Sequence, residues 1–357
     1  MIEIDGSYLE GGGQIVRNAL ALSALTGKPF KVYNIRKGRP DGGLKNQHLF
    51  CVKAVSELCN GKAEGAELGS TELIFYPGKI KARTLSIDIE TAGSITLLLQ
   101  SLIIPSMFAN AKVRLRIRGG TDVQWSMPAD YFKNVFLLHL RKYADFDFKM
   151  EKRGYFPKGG GFIDLTIKPK YKLSDFEKFE DFFSELRQQE KLIITNLGEL
   201  AQIKGVSHAS KDLEKAEVAE RQASSAKLTL QKIVCPIQIK AEYSDSLSTG
   251  SGITLWAVYS LGENINCVGA DALGERGKRA EDVGMEAAKN LIEQMNLKAP
   301  VDEHLEDNLI PFLALFGGEI CVGKLTNHTL TNIFVTEQFL EVKFEIDKDK
   351  KIIKVGV

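Results

Sequence analysis

The sequence predicts an α+β fold in which similar helix-and-strand modules repeat and a smaller α+β domain is inserted. Helical and strand patterns alternate along the chain with a period of about 40 residues, which is typical of repeated modules packed around a common centre. The alternation breaks at residues 171–232 and returns from residue 277 onward. At 357 residues the chain also exceeds what one compact core usually holds, so we expect two domains.

The first half of the chain supplies the clearest elements. Apolar residues at helical spacing predict helices, and alternating or clustered β-branched and aromatic residues predict strands. The predicted helices span residues 14–26, 44–58, 93–107 and 128–143. The predicted strands span residues 30–35, 72–76, 113–117, 145–150 and 162–167. Three glycines at 159–161 separate the last two strands and predict a hairpin-type connection or a close approach to a ligand.

The charge-dense segment 172–191 lies in the stretch where the rhythm breaks. Aromatic side chains recur in it at helical spacing, and we expect them to form the core of the insert rather than a base-stacking platform: Phe176, Phe179, Phe182 and Phe183. A strand at 192–194, a polar helix at 210–232 and strands at 237–243 and 252–260 are predicted next. Helices at 279–295 and 305–316 then return to the earlier rhythm.

The composition is that of a globular protein and excludes a strongly basic coat for nucleic acid. Apolar residues make up 44% and charged residues 26% of the chain, and the formal net charge is only +1. Residues 1–50, however, hold seven Lys and Arg against four Asp and Glu. That local charge of +3 suits one phosphate-binding patch.

Cysteine usage and hydropathy favour a soluble cytoplasmic protein. The five cysteines form no C-x-x-C pair, so we expect neither a zinc site nor a disulfide framework. The longest apolar run, residues 95–109, is interrupted by Gln100 and Pro105 and falls short of the ~20 residues that span a membrane. Acidic residues stand where a signal peptide would carry basic ones. We therefore expect no membrane association.

The most informative stretch is the acidic, glycine-rich loop Glu-Gly-Gly-Gly-Gln at residues 10–14, which opens directly into a predicted helix. Glycines let a ligand approach the main chain, and the N–H groups of a helix N-terminus attract anions. Glu10 can bind a divalent metal beside a phosphate. A tight turn entering a core helix would explain the glycines alone. The downstream Arg36, Arg39 and Gln47 favour the phosphate site.

Familiar nucleotide-binding motifs are absent from the sequence. The Walker pattern needs Gly-Lys followed by Ser or Thr, whereas Gly277-Lys278 is followed by Arg279. No G-x-G-x-x-G follows a predicted strand, and no G-x-S-x-G elbow occurs. ATP would therefore have to bind by an unusual route.

The histidines offer few candidates for chemistry. His304 stands in an acidic cluster that opens a helix, where capping alone explains the acids. His328 stands in a polar loop that leads to a strand predicted around residues 333–335, among hydroxyl and amide groups that can fix its tautomer. His48 is a candidate ligand contact beside the basic patch, and His208 is expected to face solvent.

Taken together, eight segments in the same order resemble the RNA 3′-terminal phosphate cyclase family over essentially the whole chain. They are Glu-Gly-Gly-Gly-Gln-Ile-Val-Arg at 10–17, Arg-Lys-Gly-Arg-Pro at 36–40, Gly-Leu-Lys-Asn-Gln-His at 43–48, Ala-Gly-Ser-Ile-Thr-Leu-Leu-Leu-Gln at 92–100, Gly-Gly-Thr-Asp at 119–122, Tyr-Phe-Pro-Lys-Gly-Gly-Gly at 155–161, His-Leu-Glu-Asp-Asn at 304–308 and His-Thr-Leu-Thr-Asn at 328–332.

The resemblance implies a fold and a reaction. The fold is a core of repeated βαβ-type units, like those in the C-terminal domain of translation initiation factor three, at residues 1–175 and 275–357, with an inserted α+β domain at 176–274. The reaction uses ATP to convert an RNA 3′-terminal phosphate into a 2′,3′-cyclic phosphate. It implies a histidine–AMP intermediate, transfer of AMP to the RNA 3′-phosphate, and attack by the neighbouring ribose 2′-oxygen that expels AMP.

The resemblance also implies roles for single residues. His328 corresponds to the nucleophile, Asp307 to an essential acid, and Glu10 to the ligand of a divalent metal, Mg or Mn. Residues needed for activity correspond to Arg17, Arg36, Arg39 and Gln47. Nucleotide contacts correspond to Gln100, His304, Leu305, Glu306, Asp307 and Asn308. The family usually has Gln where this chain has Asn308, which is shorter by one methylene.

Two alternatives stay open at this stage. A branch of cyclase-like proteins acts in ribosome assembly without cyclase activity, but those proteins lack the histidine that corresponds to His328. An enolpyruvyl-transferase-like enzyme has a related architecture and would not need that histidine. The expected partner is RNA with a 3′-phosphate end, and a homodimer is one option for the oligomeric state. We expect the insert to contribute little to adenylation, since it holds none of the motif residues.

Overall fold

The structure is a computed structural model that describes residues 1–356, in which four β-sheets of four strands each alternate with helices. Three of the sheets share one connectivity. In each, a parallel strand–helix–strand pair is extended by two antiparallel strands, and the last strand in sequence lies between the second and the third. The mixed α+β class and the repetition expected from the sequence are thus both observed.

The first repeat begins the chain. It comprises β1 (Ile2–Asp5), α1 (Gln14–Thr26), β2 (Phe30–Tyr33), α2 (Asn46–Cys59), β3 (Lys62–Glu64) and β4 (Leu73–Tyr76). The strand order is β1-β2-β4-β3, and only β1 and β2 are parallel. Every residue of α1 is buried, so this helix lies at the centre of the molecule and its polar residues must find partners inside it.

The second repeat has the same strand order, β5-β6-β8-β7. It comprises β5 (Thr84–Asp88), α3 (Ile95–Met107), β6 (Val113–Gly119), α4 (Ala129–Tyr131), a π-helical turn (Phe132–Phe136), α5 (Leu137–Leu140), β7 (Ala144–Lys152) and β8 (Gly161–Pro169). Buried and exposed residues alternate strictly along β6, as the sequence predicts. β7 and β8 form the antiparallel pair predicted around the glycines at 159–161.

The fourth sheet differs in connectivity. After α6 (Phe179–Gln188) and β9 (Leu192–Ile194), the chain forms β10 (Glu199–Ser210), α7 (Val218–Leu230), β11 (Ile237–Ser244), β12 (Ser251–Leu261), β13 (Asn264–Leu273) and α8 (Ala280–Asn296). The strand order is β11-β10-β12-β13, and the two helices pack against each other and against the sheet around a separate apolar cluster.

The third repeat surrounds this insertion. It comprises β9 together with α9 (Glu303–Phe316), β14 (Gly318–Cys321), α10 (Asn327–Phe339), β15 (Phe344–Asp347) and β16 (Ile352–Val355). Its order is β15-β16-β14-β9, with β9 and β14 parallel, which is the connectivity of the first two repeats. None of the helices within residues 1–356 is long and apolar enough to cross a membrane.

The predicted bounds 176–274 of the insert differ from the packing at both ends. The phenylalanine-rich α6 packs against α9, and Phe182 lies edge-on to Phe108 of the main core with 5.4 Å between ring centres. At the other end, α8 packs on the insert sheet through residues such as Val283 and Leu291. The prediction that the Phe residues form the core of the insert is therefore wrong, because α6 leads into the third repeat.

Three local predictions also need correction. The strand predicted around residues 333–335 is part of α10, where the consecutive apolar residues pack against α1 and α9. The helix predicted at 210–232 is shorter, because β10 continues to Ser210 and a 3₁₀ turn (Lys211–Ala216) precedes α7. His208 was expected to face solvent, but it is only 1% exposed.

His208 belongs to a buried ionic cluster that joins the second repeat to the fourth sheet. Arg153 is 2% exposed and donates to two carboxylates of the second repeat, Asp122 at 3.1 Å and Asp130 at 2.7 Å. It also donates to Glu242 of β11, in the fourth sheet, at 2.6 Å. His208 Nε2 lies 3.2 Å from Asp122 Oδ1. Burial disfavours the charge of Asp122, but His208 and Arg153 outweigh it and hold the pKa of Asp122 below its ordinary value.

The cluster is an ionic junction rather than a metal site. One ligand atom from each of Asp122, Asp130 and His208 lies within 4.8 Å of the others, a spacing that would suit a cation. The Arg153 guanidinium already pairs with both carboxylates and would repel a metal ion there.

We expect Arg153→Met to destabilise the protein by about 3–5 kcal/mol, because the change leaves the Asp122 and Asp130 carboxylates buried without their counter-ion. Equilibrium unfolding in urea measures the difference. The matched control is Arg221→Ala, which removes an exposed ion pair with Glu281 and should change the midpoint little. Equal midpoints for Arg153→Met and the wild type would contradict a stabilising role for the junction.

Candidate active site

Four helices carry most of the predicted site residues, and these helices meet where the three repeats pack together. The central helix α1 packs on α3 of the second repeat and on α10 of the third, and α10 packs on α9. Polar residues of these helices face one another across the repeat boundaries. The candidate site is therefore an inter-repeat site, and no single repeat contains it.

His328 lies in the first turn of α10, where it is exposed and held by Gln14 of α1. Gln14 Nε2 donates to the main-chain oxygen of His328 at 2.9 Å. Because only the NH₂ end of the amide can donate to this oxygen, the bond fixes the orientation of the Gln14 amide. Gln14 Oε1 therefore faces Nδ1 of the imidazole, with which it forms a hydrogen bond. A carbonyl oxygen can only accept, so Nδ1 carries a proton, and in the neutral ring Nε2 keeps a free lone pair.

A chain of hydrogen bonds crosses from α1 through α3 to α9. Arg17 Nε donates to Gln100 Oε1 at 2.8 Å. Gln100 Nε2 donates to Asn308 Oδ1 at 2.8 Å, and Asn308 Nδ2 donates to Asp307 Oδ1 at 2.6 Å. Four of the residues predicted from the sequence thus form one continuous network. Asn308 uses both ends of its amide in the network, so the shorter side chain is accommodated.

A second chain of hydrogen bonds links α1 and α10 to the turn of α9 that carries Asp307. Asn18 of α1 donates to Asn332 Oδ1 at 2.6 Å, and Asn332 Nδ2 donates to the main-chain oxygen of Asp307 at 2.8 Å. Asn18 and Asn332 are both nearly buried. Hydrogen bonds from Gln14 to His328 and from Asn332 to Asp307 therefore set the position of His328 relative to Asp307.

The charge of Asp307 depends on its neighbours. Burial raises the pKa of its carboxyl above the ordinary value, whereas His328, His304 and Arg17 act to lower it. Burial also lowers the pKa of Arg17, although an arginine stays protonated in proteins. The site thus holds a carboxyl and a guanidinium in an environment with little water, where charges interact strongly.

The glycine loop leaves the N-terminus of α1 open. Gly13 precedes the helix without a side-chain cap, so the first N–H groups of α1 have no capping acceptor. A Cβ on Gly13 would collide with the ring of His48. His48 is buried, its Nδ1 accepts from the main chain of Lys45 at 2.9 Å, and burial with the nearby Arg17 lowers its pKa to about 3. His48 is thus a buried, neutral residue that packs against the loop, and its role as a ligand contact stays a prediction.

The two loop arginines lie beside this open helix end. Arg36 adopts a left-handed backbone conformation (φ 56°), which is uncommon for a residue with a side chain and marks a strained turn. Arg39 donates to Glu10 Oε2 at 2.9 Å. Gln47, in the first turn of α2, has a buried Nε2 with no partner among residues 1–356. The geometry thus supplies several donors around one uncapped helix end, which suits an anion.

Glu10 fits one kind of metal site. It is a single carboxylate, and it is paired with Arg39. Mg²⁺ is commonly bound by one or two carboxylates together with substrate phosphates and water. Unlike Arg153, Arg39 is partly exposed and can leave the carboxylate for a phosphate, and Glu10 then fits a metal shared with that phosphate.

The start of α9 is oriented by Asp302, whose buried carboxylate caps it. Asp302 Oδ1 accepts from the main-chain N–H of His304 and of Leu305, each at 3.0 Å. Oδ2 accepts from Gly269 of β13 at 2.7 Å, and Tyr131 donates to the same carboxylate. The acidic cluster read from the sequence is thus a helix cap as well as a site segment.

Two residues predicted to contact a nucleotide have buried side chains. Leu305 and Glu306 are both 0% exposed, so neither presents its side chain to a ligand in this structure. Burial raises the pKa of Glu306 to about 7. Its Oε1 accepts from Thr326 N at 3.1 Å and from Thr329 Oγ1 at 2.7 Å. Glu306 therefore supports the N-terminus of α10, which carries His328.

His304 connects the site to the fourth sheet. Its ring is half-exposed, and Nε2 lies 3.3 Å from Asp271 Oδ1 of β13. Burial opposes the imidazolium charge, but the hydrogen bond and the charge of Asp271 outweigh it and raise the pKa of His304 to about 9. Asp271 of the insert thus contacts a predicted site residue, while the expectation that the insert contributes little to adenylation stays a prediction. Sequence reasoning also gave no role to Gln14, Asn18 or Asn332, whose partners lie far away in the chain.

Comparisons with known proteins agree on one family. The family model described as RNA 3′-terminal phosphate cyclase matches residues 8–346. The chain is 46% identical to the RNA 3′-terminal phosphate cyclase of Pyrococcus abyssi (strain GE5 / Orsay) over 350 residues, which cover 97% of this chain and 95% of that one. It is 46% identical to the protein of the same name from Methanosarcina acetivorans over 371 aligned positions, covering 100% of both chains.

We expect Asp271→Asn to lower the pKa of His304 from about 9 towards the ordinary 6.5, because the carboxylate that stabilises the imidazolium is removed. The wild-type ring should thus stay charged through neutral pH, and the variant ring should lose its proton near neutrality. NMR titration of the histidine Cε1–H signals measures both values. Glu303→Gln, which removes a weaker carboxylate influence, should lower the pKa less. A His304 pKa that stays near 9 in Asp271→Asn would contradict the assignment.

Proposed function

The chain belongs to the RNA 3′-terminal phosphate cyclase family, and we propose that it uses ATP to convert an RNA 3′-phosphate end into a 2′,3′-cyclic phosphate through a covalent AMP on His328. The observation that carries the proposal is the imidazole of His328, whose Nδ1 is hydrogen-bonded to Gln14 and whose Nε2 is left free. A neutral imidazole nitrogen with a free lone pair is a competent nucleophile near pH 7.

In the first step, His328 Nε2 attacks the α-phosphorus of ATP. A nitrogen–phosphorus bond forms, the α–β phosphoanhydride bond breaks, and pyrophosphate leaves. The uncapped N-terminus of α1, with Arg36 and Arg39 nearby, suits the charge on the phosphates. The positive end of α10 lies behind His328 itself and favours an anionic phosphoryl group at that nitrogen.

In the later steps, an oxygen of the RNA 3′-phosphate attacks the same phosphorus and releases His328. The ribose 2′-oxygen then attacks the activated 3′-phosphorus, a new P–O bond closes the ring, and AMP leaves as the hydroxyl proton is lost. The ribose holds the attacking oxygen beside the phosphorus, so its effective concentration is high and the enzyme need supply little more than orientation.

The surrounding residues have matching tasks in this proposal. Gln14 holds the His328 ring and its tautomer. Asp307 balances positive charge beside His328, and Gln100 with Asn308 holds the Arg17 guanidinium in place. Glu10 would hold a divalent metal, Mg or Mn, which when bound neutralises phosphate charge.

One further point supports an enzyme over an assembly factor. Assembly factors related to this family lack the nucleophilic histidine, whereas His328 is present here with a dedicated partner. The free cysteines within residues 1–356 are consistent with the proposed cytoplasmic location.

We expect the wild-type protein, incubated with α-labelled ATP and Mg²⁺, to keep the label after denaturation, and His328→Ala to keep none. The bond should be labile in acid and stable in alkali, as a phosphoramidate is. Gln14→Ala should form the adduct roughly 10- to 100-fold more slowly, the usual cost of removing a partner that orients a functional histidine. Lys343→Ala, an exposed change beyond the far end of α10, is the matched control and should label normally. Labelled His328→Ala would refute the assignment.

We expect an RNA that ends in a 3′-phosphate to become cyclic with ATP and Mg²⁺. The same strand with a terminal 2′-deoxyribose should stop as the RNA–adenylate, because the oxygen that closes the ring is missing. Thin-layer or gel analysis of 3′-end-labelled strands separates the products. Binding of both strands without any adenylate or cyclic product would favour an assembly factor instead.

A further inference from the structure

The two most exposed aromatic side chains among residues 1–356 lie on adjacent loops of the second repeat. Trp125 is 94% exposed and Phe156 is 76% exposed, whereas the second tryptophan, Trp256, is only 8% exposed. The loops are joined at their base, since Thr121 N and Asp122 N both donate to Gly154 O, at 2.9 and 3.4 Å. Two large aromatic rings exposed to water on neighbouring loops are informative, because folding alone would bury them.

The loop that carries Trp125 is held rigidly at both ends. Ala129 N donates to Thr121 O at 3.0 Å, which closes the loop, and Ser126 Oγ donates to Val123 O at 2.9 Å. Trp125 itself has a left-handed backbone conformation (φ 60°). A bulky residue keeps such a conformation only when its surroundings impose it, and such residues cluster at functional sites.

This loop lies close to the candidate active site. Thr96 Oγ1 of α3 donates to Met127 O at 2.7 Å, two residues after Trp125. Gln100 follows Thr96 by four residues on the same face of α3, which is about 6 Å along the helix axis. The Trp125 loop is also the counterpart of the arginine loop, since each follows the second strand of the parallel pair in its repeat.

Exposed basic residues lie on the segments next to the two rings, beside the acidic Glu275. Gln124 donates to Glu275 at 3.1 Å, which brings the Trp125 loop against the exposed basic segment that contains Arg276 and Arg279. Lys158 is exposed two residues after Phe156. Aromatic rings that receive bases, flanked by cations that follow a phosphate backbone, are the usual features of a site for single-stranded nucleic acid.

We propose that Trp125 and Phe156 stack on nucleobases of the RNA upstream of its 3′-phosphate, with Arg276 and Lys158 beside the backbone. The inference rests on the proposed function for the identity of the ligand. On this proposal the second repeat binds the RNA strand, and the first repeat binds the phosphates. Stacking accepts any base, so the site would select single-stranded ends without reading their sequence.

The test titrates the protein, without ATP, into a 5′-dye-labelled single-stranded RNA of roughly eight nucleotides that ends in a 3′-phosphate, within the usual site size. Fluorescence anisotropy of the dye gives Kd for every variant, and tryptophan emission is recorded in the same titration. Wild-type emission should be quenched on binding. Trp125→Ala should raise Kd by roughly 5- to 150-fold, the range found for loss of one base-stacking ring. Trp125→Phe should keep the affinity and lose the quenching, and Trp125→Leu, which is apolar but cannot stack, should lose affinity.

The controls keep the outcomes distinct. Trp256 is the remaining tryptophan in these variants, and unchanged emission from it reports an intact fold. Leu228→Ala, another exposed apolar position, should bind RNA like the wild type. An RNA of equal length with abasic upstream nucleotides should bind the wild type at least as weakly as normal RNA binds Trp125→Ala, because it loses stacking on both rings.

Equal Kd values for Trp125→Ala and the wild type, or for normal and abasic RNA, would overturn the stacking site. Loss of self-association in Trp125→Ala with unchanged RNA affinity would identify a dimer contact instead and would also overturn it. Label transfer from ATP to the wild-type protein without RNA is measured separately. If that reaction fails, the proposed function fails, while the fluorescence titration still decides the stacking.

Discussion

The bond pair between Gln14 and His328 is the interaction on which the site depends. The two residues are 314 positions apart, and they meet because α1 and α10 pack together at the centre of the molecule. One bond, from the amide to the main chain, orients the glutamine, and the other then determines which imidazole nitrogen is protonated. Without this pair, both tautomers and several ring orientations of an exposed histidine would be accessible, and only some would present Nε2 to a phosphate.

The repeated architecture makes this contact possible. Each repeat contributes a strand–helix–strand unit whose helix packs near the helices of the other repeats. The polar faces of α1, α3, α9 and α10 are buried where these helices meet. Buried polar groups cost free energy unless they are hydrogen-bonded. The chains from Arg17 to Asp307 and from Asn18 to Asp307 satisfy these groups across repeat boundaries. The contacts that hold the core helices together therefore also position the site residues.

Local patterns predicted much of the fold. The central helix at 14–26 and the strand around 113–117 were readable because apolar spacing follows burial directly. The strand predicted at 333–335 was wrong, since three consecutive apolar residues suit a strand or a buried helix equally and tertiary packing decided. The prediction that His208 faces solvent was wrong for a related reason. Its neighbours in sequence are polar, but its partner Asp122 lies in the second repeat, far away in the chain.

The site was predicted in part. Motif resemblance brought out Arg17, Gln100, Asp307, Asn308 and His328, which the structure gathers in one place. It could not reveal that Glu306 faces inward to support α10, or that Asp271 of the insert reaches His304, because both depend on contacts between distant segments. The roles of the arginines and of Glu10 stay predictions.

The identity of the nitrogen that carries AMP tests the central claim most directly. Protein with ¹⁵N-labelled histidine is reacted with ATP in the absence of RNA, and ³¹P–¹⁵N coupling in the adduct identifies the bonded nitrogen. The Gln14–His328 geometry predicts phosphorus on Nε2 of His328, with the proton retained on Nδ1. Phosphorus on Nδ1, or on any other histidine, would contradict it.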